Sequence, residues 1–208
     1  LPAKEPDELK LFLTAPENCE SLNEYLEKFD LPLKVLQTRE AVRKAMYILV
    51  SSLKEQGMLY AEIRFAPQLH TKKGLTQERV VQAALLGMQE ALAGSFFRCK
   101  LILCCMRGAD NDAENMETVR TAKAYLGKGV CCIDLAGAEA LFPTKDFAEL
   151  FQYAKEENVP FIIHAGEADG PQSIRDAVHM GALRIGHGVA SIQDAELVSM
   201  LADRKIPL

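Results

Sequence analysis

The sequence predicts an α/β fold of the (β/α)8 TIM-barrel type, incomplete in this chain, with about five to six of the eight strands present in 208 residues. Three observations predict it. From residue 58 onward, apolar strand-like runs alternate with helical runs, which implies parallel βαβ units with right-handed crossovers. Three successive strands end in polar or glycine-rich stretches, IDLAGAE, IIHAGE and RIGHG, and the carboxyl ends of parallel strands converge on one mouth in a barrel. The phosphate-binding turns of a doubly wound sheet, GxGxxG and GxxxxGK[ST], do not occur, so that architecture lacks its nucleotide site.

The elements follow in order. Residues 7–36 read as short helices, with Leu22, Tyr25, Leu26 and Phe29 on one face at helical spacing. A long helix runs from Thr38, an N-cap, to Gly57, a C′ residue. Its expected inward stripe is Ala41, Val42, Ala45, Leu49, Ser52 and Leu53. Residues 1–57 therefore form a helical region packing on or capping the barrel, and 58–208 form successive βα units of one domain.

Strands are expected at 58–66, 99–106, 129–137, 160–167 and 182–188, and the terminal KIPL has the look of a sixth. Helices are expected at 76–94, 112–127, 146–157, 171–180 and 191–204, the last opened by a capping box of Ser191 and Asp194. On the first strand Leu59, Ala61, Ile63 and Phe65 share one face and Tyr60, Glu62 and Arg64 the other. Apolar toward helices and polar toward a lumen explains this pattern, and so does an edge strand of an open sheet.

Hydrophobic residues at 49% and charged residues at 25% support a packed core. No apolar run reaches the roughly 20 residues of a membrane span. A net charge of −5 disfavours a phosphate backbone as partner. The six cysteines lack a CxxC spacing, and Cys104–Cys105 and Cys131–Cys132 sit in apolar strands. Strand neighbours point to opposite faces, so buried reduced thiols and a reducing, cytoplasmic compartment are expected. The opening LPAKEPDE has neither the basic nor the apolar region of a signal peptide.

The chemistry-bearing residues lie at the strand ends. His164 emerges from Phe161, Ile162 and Ile163, as an imidazole metal ligand or as a core histidine bonded to a carbonyl. Glu167 follows two small residues later, placed to donate a proton in a pocket or to sit at the positive end of the helix from Pro171. His187 lies in GHG, where glycines permit sharp turning. Asp134 and Glu139 are further candidate ligands, and Gly137 has no side chain to keep its N–H from a flat ring. His70 and His179 read as structural or solvent-facing.

Taken together, LILCCMRG, IDLAGAE, FIIHAGE and RIGHGV, with EIRFAPQ upstream, closely resemble the adenosine deaminase family across the whole chain. The resemblance implies a zinc-dependent amidohydrolase-type barrel that deaminates adenosine, a small purine nucleoside, to inosine and ammonia. It implies that His164 is a zinc ligand and that Glu167 protonates purine N1. It further implies that His187 orients or deprotonates the attacking water and that the Gly137 N–H binds purine N3. The family's HxH zinc ligands on its first strand and its aspartates near the last strand have no counterpart here. The expectation is a truncated deaminase with an incomplete zinc site. Adenine or an N6-substituted AMP is the alternative substrate. A barrel hydrolase of amides or phosphoesters and a non-catalytic interaction fragment are the remaining alternatives.

Overall fold

A computed structural model describes residues 2–208. Three short helices open it: α1 (Pro6–Leu13), α2 (Leu22–Leu26) and α3 (Asp30–Val35), none with a fully buried residue. The long α4 (Arg39–Glu55) starts where the Thr38 hydroxyl accepts the Ala41 N–H at 3.2 Å. The alternating βα part follows as β1 (Tyr60–Phe65), α5 (Gln77–Leu92), β2 (Arg98–Met106), α6 (Asp112–Tyr125) and β3 (Val130–Ala136). It continues as α7 (Ala148–Glu156), β4 (Ile163–Ala165), α8 (Pro171–Met180), β5 (Ile185–His187) and α9 (Ala195–Asp203).

All strand pairings are parallel: β1 with β2, β2 with β3, and β4 with β5. The Ile133–Phe161 bridge, with Ile162 N–H donating to the Ile133 carbonyl at 2.9 Å, joins the two groups in chain order. The surface is strongly curled. On a flat sheet β1 and β5 would lie four spacings apart, about 19 Å. Yet Glu62 of β1 forms an ion pair with Arg184, the residue before β5. A barrel wall explains that contact and an open sheet does not, which decides between the two readings of β1.

Burial follows the two faces of the strands. Leu101, Leu103, Ile133, Leu135 and Ile163 face outward into the main core, against Val80, Val81, Val119, Phe151 and Ile174 of the helices. Each such fully buried side chain contributes about 1.5–3 kcal/mol. Inward, Ile102, Cys132 and Ile162 form a separate small cluster in the lumen. The polar row Glu62 and Arg64 continues this inner face, with Arg64 in register with Ile102.

Four expectations are corrected. The inner face of α4 is Val42, Met46 and Val50, while Leu49 is exposed. Its docking onto α5 is close: a Cβ on Gly87 would stand 2.2 Å from the Arg43 carbonyl oxygen. Val42 is buried as expected, and the close contact turns the helix so that Met46 and Val50, rather than Ala45 and Leu49, complete its inner face. The last helix is capped by Asp194, which accepts the Leu197 N–H, and Ser191 instead lies in the 3-10 turn before it. Residues 206–208 form no strand, although Ile185 N–H donates to the Pro207 carbonyl at 3.0 Å, where a sixth strand would pair. Finally, the sulfurs of Cys131 and Cys132 approach to 3.9 Å. The pairing of β2 and β3 slips there, so that Leu101 and Ile102 face Val130 and Cys132. Cys131 is the extra residue of a bulge, which breaks the strict alternation of faces.

Candidate active site

The carboxyl ends of β3, β4 and β5 deliver their polar residues to one cup. The His164 and His187 ring centroids are 5.1 Å apart, inclined at 54°. Glu167 Oε2 lies 3.3 Å from His187 Nε2. The backbone must turn sharply to do this. Gly166, His187 and Gly188 adopt φ of +70°, +65° and +68°, and His187 is the one of the three for which that conformation is strained. Gly186 keeps the cup tight, because a Cβ there would meet the His164 Cα at 3.2 Å.

His164 is held from two sides. Its Nδ1 lies 3.0 Å from the Asp134 carboxylate, which is fully buried. The carboxylate only accepts, so Nδ1 carries the proton. Arg64 Nη1 lies 2.9 Å from Nε2 and 3.1 Å from Asp134 Oδ2. A guanidinium only donates, so it faces the lone pair of the deprotonated nitrogen. A carboxylate on one imidazole nitrogen and a cation at the other is the arrangement that orients histidine ligands in metal sites. Here the cation is Arg64.

The zinc implied by the family resemblance can be tested against this donor set. Catalytic zinc takes about three protein ligands. Among the described residues no group of three or more His, Cys, Asp or Glu side chains is arranged to hold a metal. Asp134 is committed to Arg64 and His164, and Glu139 to backbone N–H groups, which removes both as candidate ligands. His164 offers one ligand nitrogen, and the residues of this chain do not make a zinc site by themselves.

Gly137 directly follows β3 with φ +114°, and a Cβ there would lie 3.4 Å from the Arg107 backbone. A cleft of about 640 Å³ opens beside Glu167, lined also by Ser21, Leu22, Tyr25, Ala140 and Ala168. The segment around α2 thus stands at the mouth. A larger groove on the outer helices carries none of the candidate site residues. Neither do the other two histidines enter the cup. His70 is buried, donates from Nδ1 to the Leu36 carbonyl at 2.7 Å, and is pushed down in pKa by that burial, the carbonyl partly opposing. His179 is exposed on α8.

Two functional-looking residues escaped the sequence reading. Arg107, at the end of β2, is buried and donates to the His164 carbonyl at 2.6 Å. Ser173, at the start of α8, is buried against Glu139 at 2.6 Å. A charge placed straight after the apolar run LILCCM was the available signal for Arg107. Nothing local marked Ser173.

Comparison with known proteins fits this geometry. The chain is 50% identical over 212 residues to the adenosine deaminase of Haemophilus ducreyi, covering 100% of this chain and 62% of that protein. The structure of adenine deaminase from Arthrobacter aurescens superposes with a TM-score of 0.83 at 26% identity, covering 100% of this chain and 62% of the other. A zinc-bound amidohydrolase from Burkholderia ambifaria shares the fold, with a TM-score of 0.86 at 22% identity over 97% of this chain and 56% of the other. The chain thus spans about three fifths of the length of its relatives, and five strands of an incomplete barrel correspond to that share. The family model described as adenosine deaminase matches residues 1–208, and the chain belongs to the adenosine deaminase family.

Proposed function

We propose that the protein carrying this chain is a hydrolytic deaminase that converts adenosine to inosine and ammonia. The observation that carries the proposal is the meeting of His164, Glu167 and His187 in one cup at the carboxyl ends of adjacent strands. Deamination of a purine needs an acid at a ring nitrogen and a base for the attacking water. In this reading Glu167, as the carboxylic acid, donates its proton to N1, which makes C6 electrophilic. His187, 3.3 Å from Glu167, orients the water and takes its proton. The water oxygen bonds to C6, and His187 passes the proton it took to the exocyclic nitrogen. The bond from C6 to that nitrogen breaks and ammonia leaves, while the remaining hydroxyl proton goes to the Glu167 carboxylate, leaving inosine with its C6 carbonyl and N1–H. The Gly137 N–H binds N3 and fixes the plane of the ring.

His164 is proposed as one zinc ligand, the others lying outside these residues. Zinc, when bound, supplies a water of lowered pKa. The buried thiols Cys104, Cys105 and Cys132 accord with a reducing, cytoplasmic setting. Among the described residues no helix is long and apolar enough to cross a membrane.

Adenine is the competing substrate, favoured by the likeness to an adenine deaminase at 26% identity. The 50% identity to an adenosine deaminase outweighs it. The test is turnover by the full gene product loaded with zinc, with adenosine, adenine and an N6-substituted AMP offered separately and ammonia measured. Adenosine is expected to give the highest kcat/KM. Preference for adenine or the nucleotide would overturn the substrate, and no ammonia from any of them would overturn the activity.

A further inference from the structure

Beneath the cup lies a buried polar chain that none of the proposed chemical steps uses. The Glu139 side chain is fully buried, yet its carboxylate receives five donors. Oε1 accepts the Gly166 N–H at 2.7 Å and the Ser173 hydroxyl at 2.6 Å. Oε2 accepts the N–H groups of Glu167, Ala168 and Asp169 at 2.9, 2.8 and 3.2 Å. Four consecutive amides of the loop that carries Glu167 therefore close on one carboxylate.

The other end of the chain is Arg107, also buried. Its Nη2 donates to Thr144 Oγ1 at 2.8 Å and to the His164 carbonyl, and its Nη1 donates to the Phe142 carbonyl at 2.6 Å. Thr144 Oγ1 and Ser173 Oγ are 2.7 Å apart. The directions are fixed by the two charged ends. Glu139 can only accept, so Ser173 gives it its one proton. Ser173 must then accept from Thr144, and Thr144 accepts from Arg107. Every hydroxyl dipole points the same way, and such chains reinforce each other in a low dielectric.

The chain grips both sides of the HAGE turn: Arg107 holds the carbonyl of His164 and Glu139 holds the amides from Gly166 onward. The carbonyls of Ala165 and Gly166 accept the Gly188 and Ala190 N–H groups at 3.0 Å, whereas the amides of the turn, with Gly166 at φ +70°, go to the Glu139 carboxylate, which fixes the amide side. Burial pushes the Glu139 carboxyl up, but Ser173, the Ala168 and Gly166 N–H groups and the Arg107 charge outweigh it and leave it below its ordinary value. It is therefore an anion at neutral pH, able to accept from all its donors.

We propose that Glu139 is the positioning residue of the proton donor: its buried carboxylate, locked through Ser173 and Thr144 to Arg107, fixes the 166–169 loop so that Glu167 stands over the cup. This rests on the deaminase reading for its effect on rate, but not for its effect on the loop.

The experiment compares Glu139→Gln with the unsubstituted protein in two arms. Gln keeps the shape and replaces one acceptor by an NH2 group that faces donors. In the first arm, amide hydrogen exchange is followed in the 208-residue chain. The 166–169 amides are expected to exchange about 100-fold faster, with the α5 and β2 amides unchanged. In the second, the zinc-loaded full gene product is assayed with adenosine. Its kcat is expected to fall at least 100-fold, with KM within threefold and zinc content unchanged, the pattern of a contact expressed in the transition state. Unchanged exchange at 166–169, or a kcat within threefold of the unsubstituted protein, would overturn the proposal. If the unsubstituted protein does not deaminate adenosine, the functional reading fails while the exchange arm still decides the anchoring. Should Glu139→Gln not fold, Ser173→Ala removes a single donor. Exchange at 166–169 is then expected to rise about 10-fold and kcat to fall at least fivefold, and no change in either would overturn the proposal.

Discussion

Glu167 Oε2 and His187 Nε2 lie 3.3 Å apart although their strands, β4 and β5, bring them in from separate βα units. The pair forms because the backbone reverses at the same level of the barrel on both sides, at Gly166 just past β4 and at His187–Gly188 at the end of β5. Sequence patterning sets the level, positive φ sets the direction, and the two side chains meet over the lumen.

Gly166→Ala is expected to lose both. The added Cβ would stand 2.5 Å from Ile174 Cδ1 and 2.7 Å from Cγ1, at a φ of +70° that alanine adopts poorly. Backbone strain and overpacking together cost about 2–4 kcal/mol, measurable by urea unfolding of the 208-residue chain.

Asp134→Asn is expected to loosen His164. The amide would retain shape but lose the charge that pairs with Arg64 and orders the Nδ1 proton. Removing such a supporting carboxylate lowers metal affinity by about 10–100-fold, which competition with a chelator would measure in the full gene product.

The 208-residue chain alone is expected not to retain zinc through gel filtration, because His164 is a single ligand with Arg64 at its free nitrogen. Metal analysis of the eluted protein checks this, and one tightly held zinc per chain would contradict the incomplete site.

Acid is expected to destabilise the fold in two stages. The folded-state pKa of His70 is lowered by burial, so folding favours its neutral form. Stability falls as pH drops below about 6.5, where the unfolded imidazole protonates, and levels once the folded one does too. The Glu139 carboxyl is also held below its ordinary 4.5, so its contribution is present above that pH and fades as pH falls through the folded value. Thermal melts from pH 8 to 3 should show both stages, and His70→Asn, which keeps a donor for Leu36, should remove the upper one only.

The cup was legible in the sequence because His164, Glu167 and His187 follow the apolar or glycine-rich strand ends of FII and RIG, although only His164 is partly buried there and Glu167 and His187 stay exposed. The alternation that sets Glu62 and Arg64 on one face of β1 fitted a lumen and an open-sheet edge alike, and the Glu62–Arg184 ion pair decides between them. Partners supplied by backbone were not legible. Glu139 reads as a possible ligand, and only the fold reveals that amides 27–30 residues away satisfy it. Arg107 reaches a carbonyl 57 residues ahead, which no spacing encodes. The α4 stripe was misplaced because two adjacent apolar rows compete, and the close approach at Gly87 decides between them.

The most direct measurement is the rate of adenosine deamination by zinc-loaded full gene product carrying Glu167→Gln, with bound zinc measured in the same sample. A kcat lowered about 10²–10⁴-fold, as for loss of a positioned acid, with zinc still bound, is the expected result. Deamination within threefold of the unsubstituted protein would contradict the role given to Glu167 and, with it, the meaning of the cup.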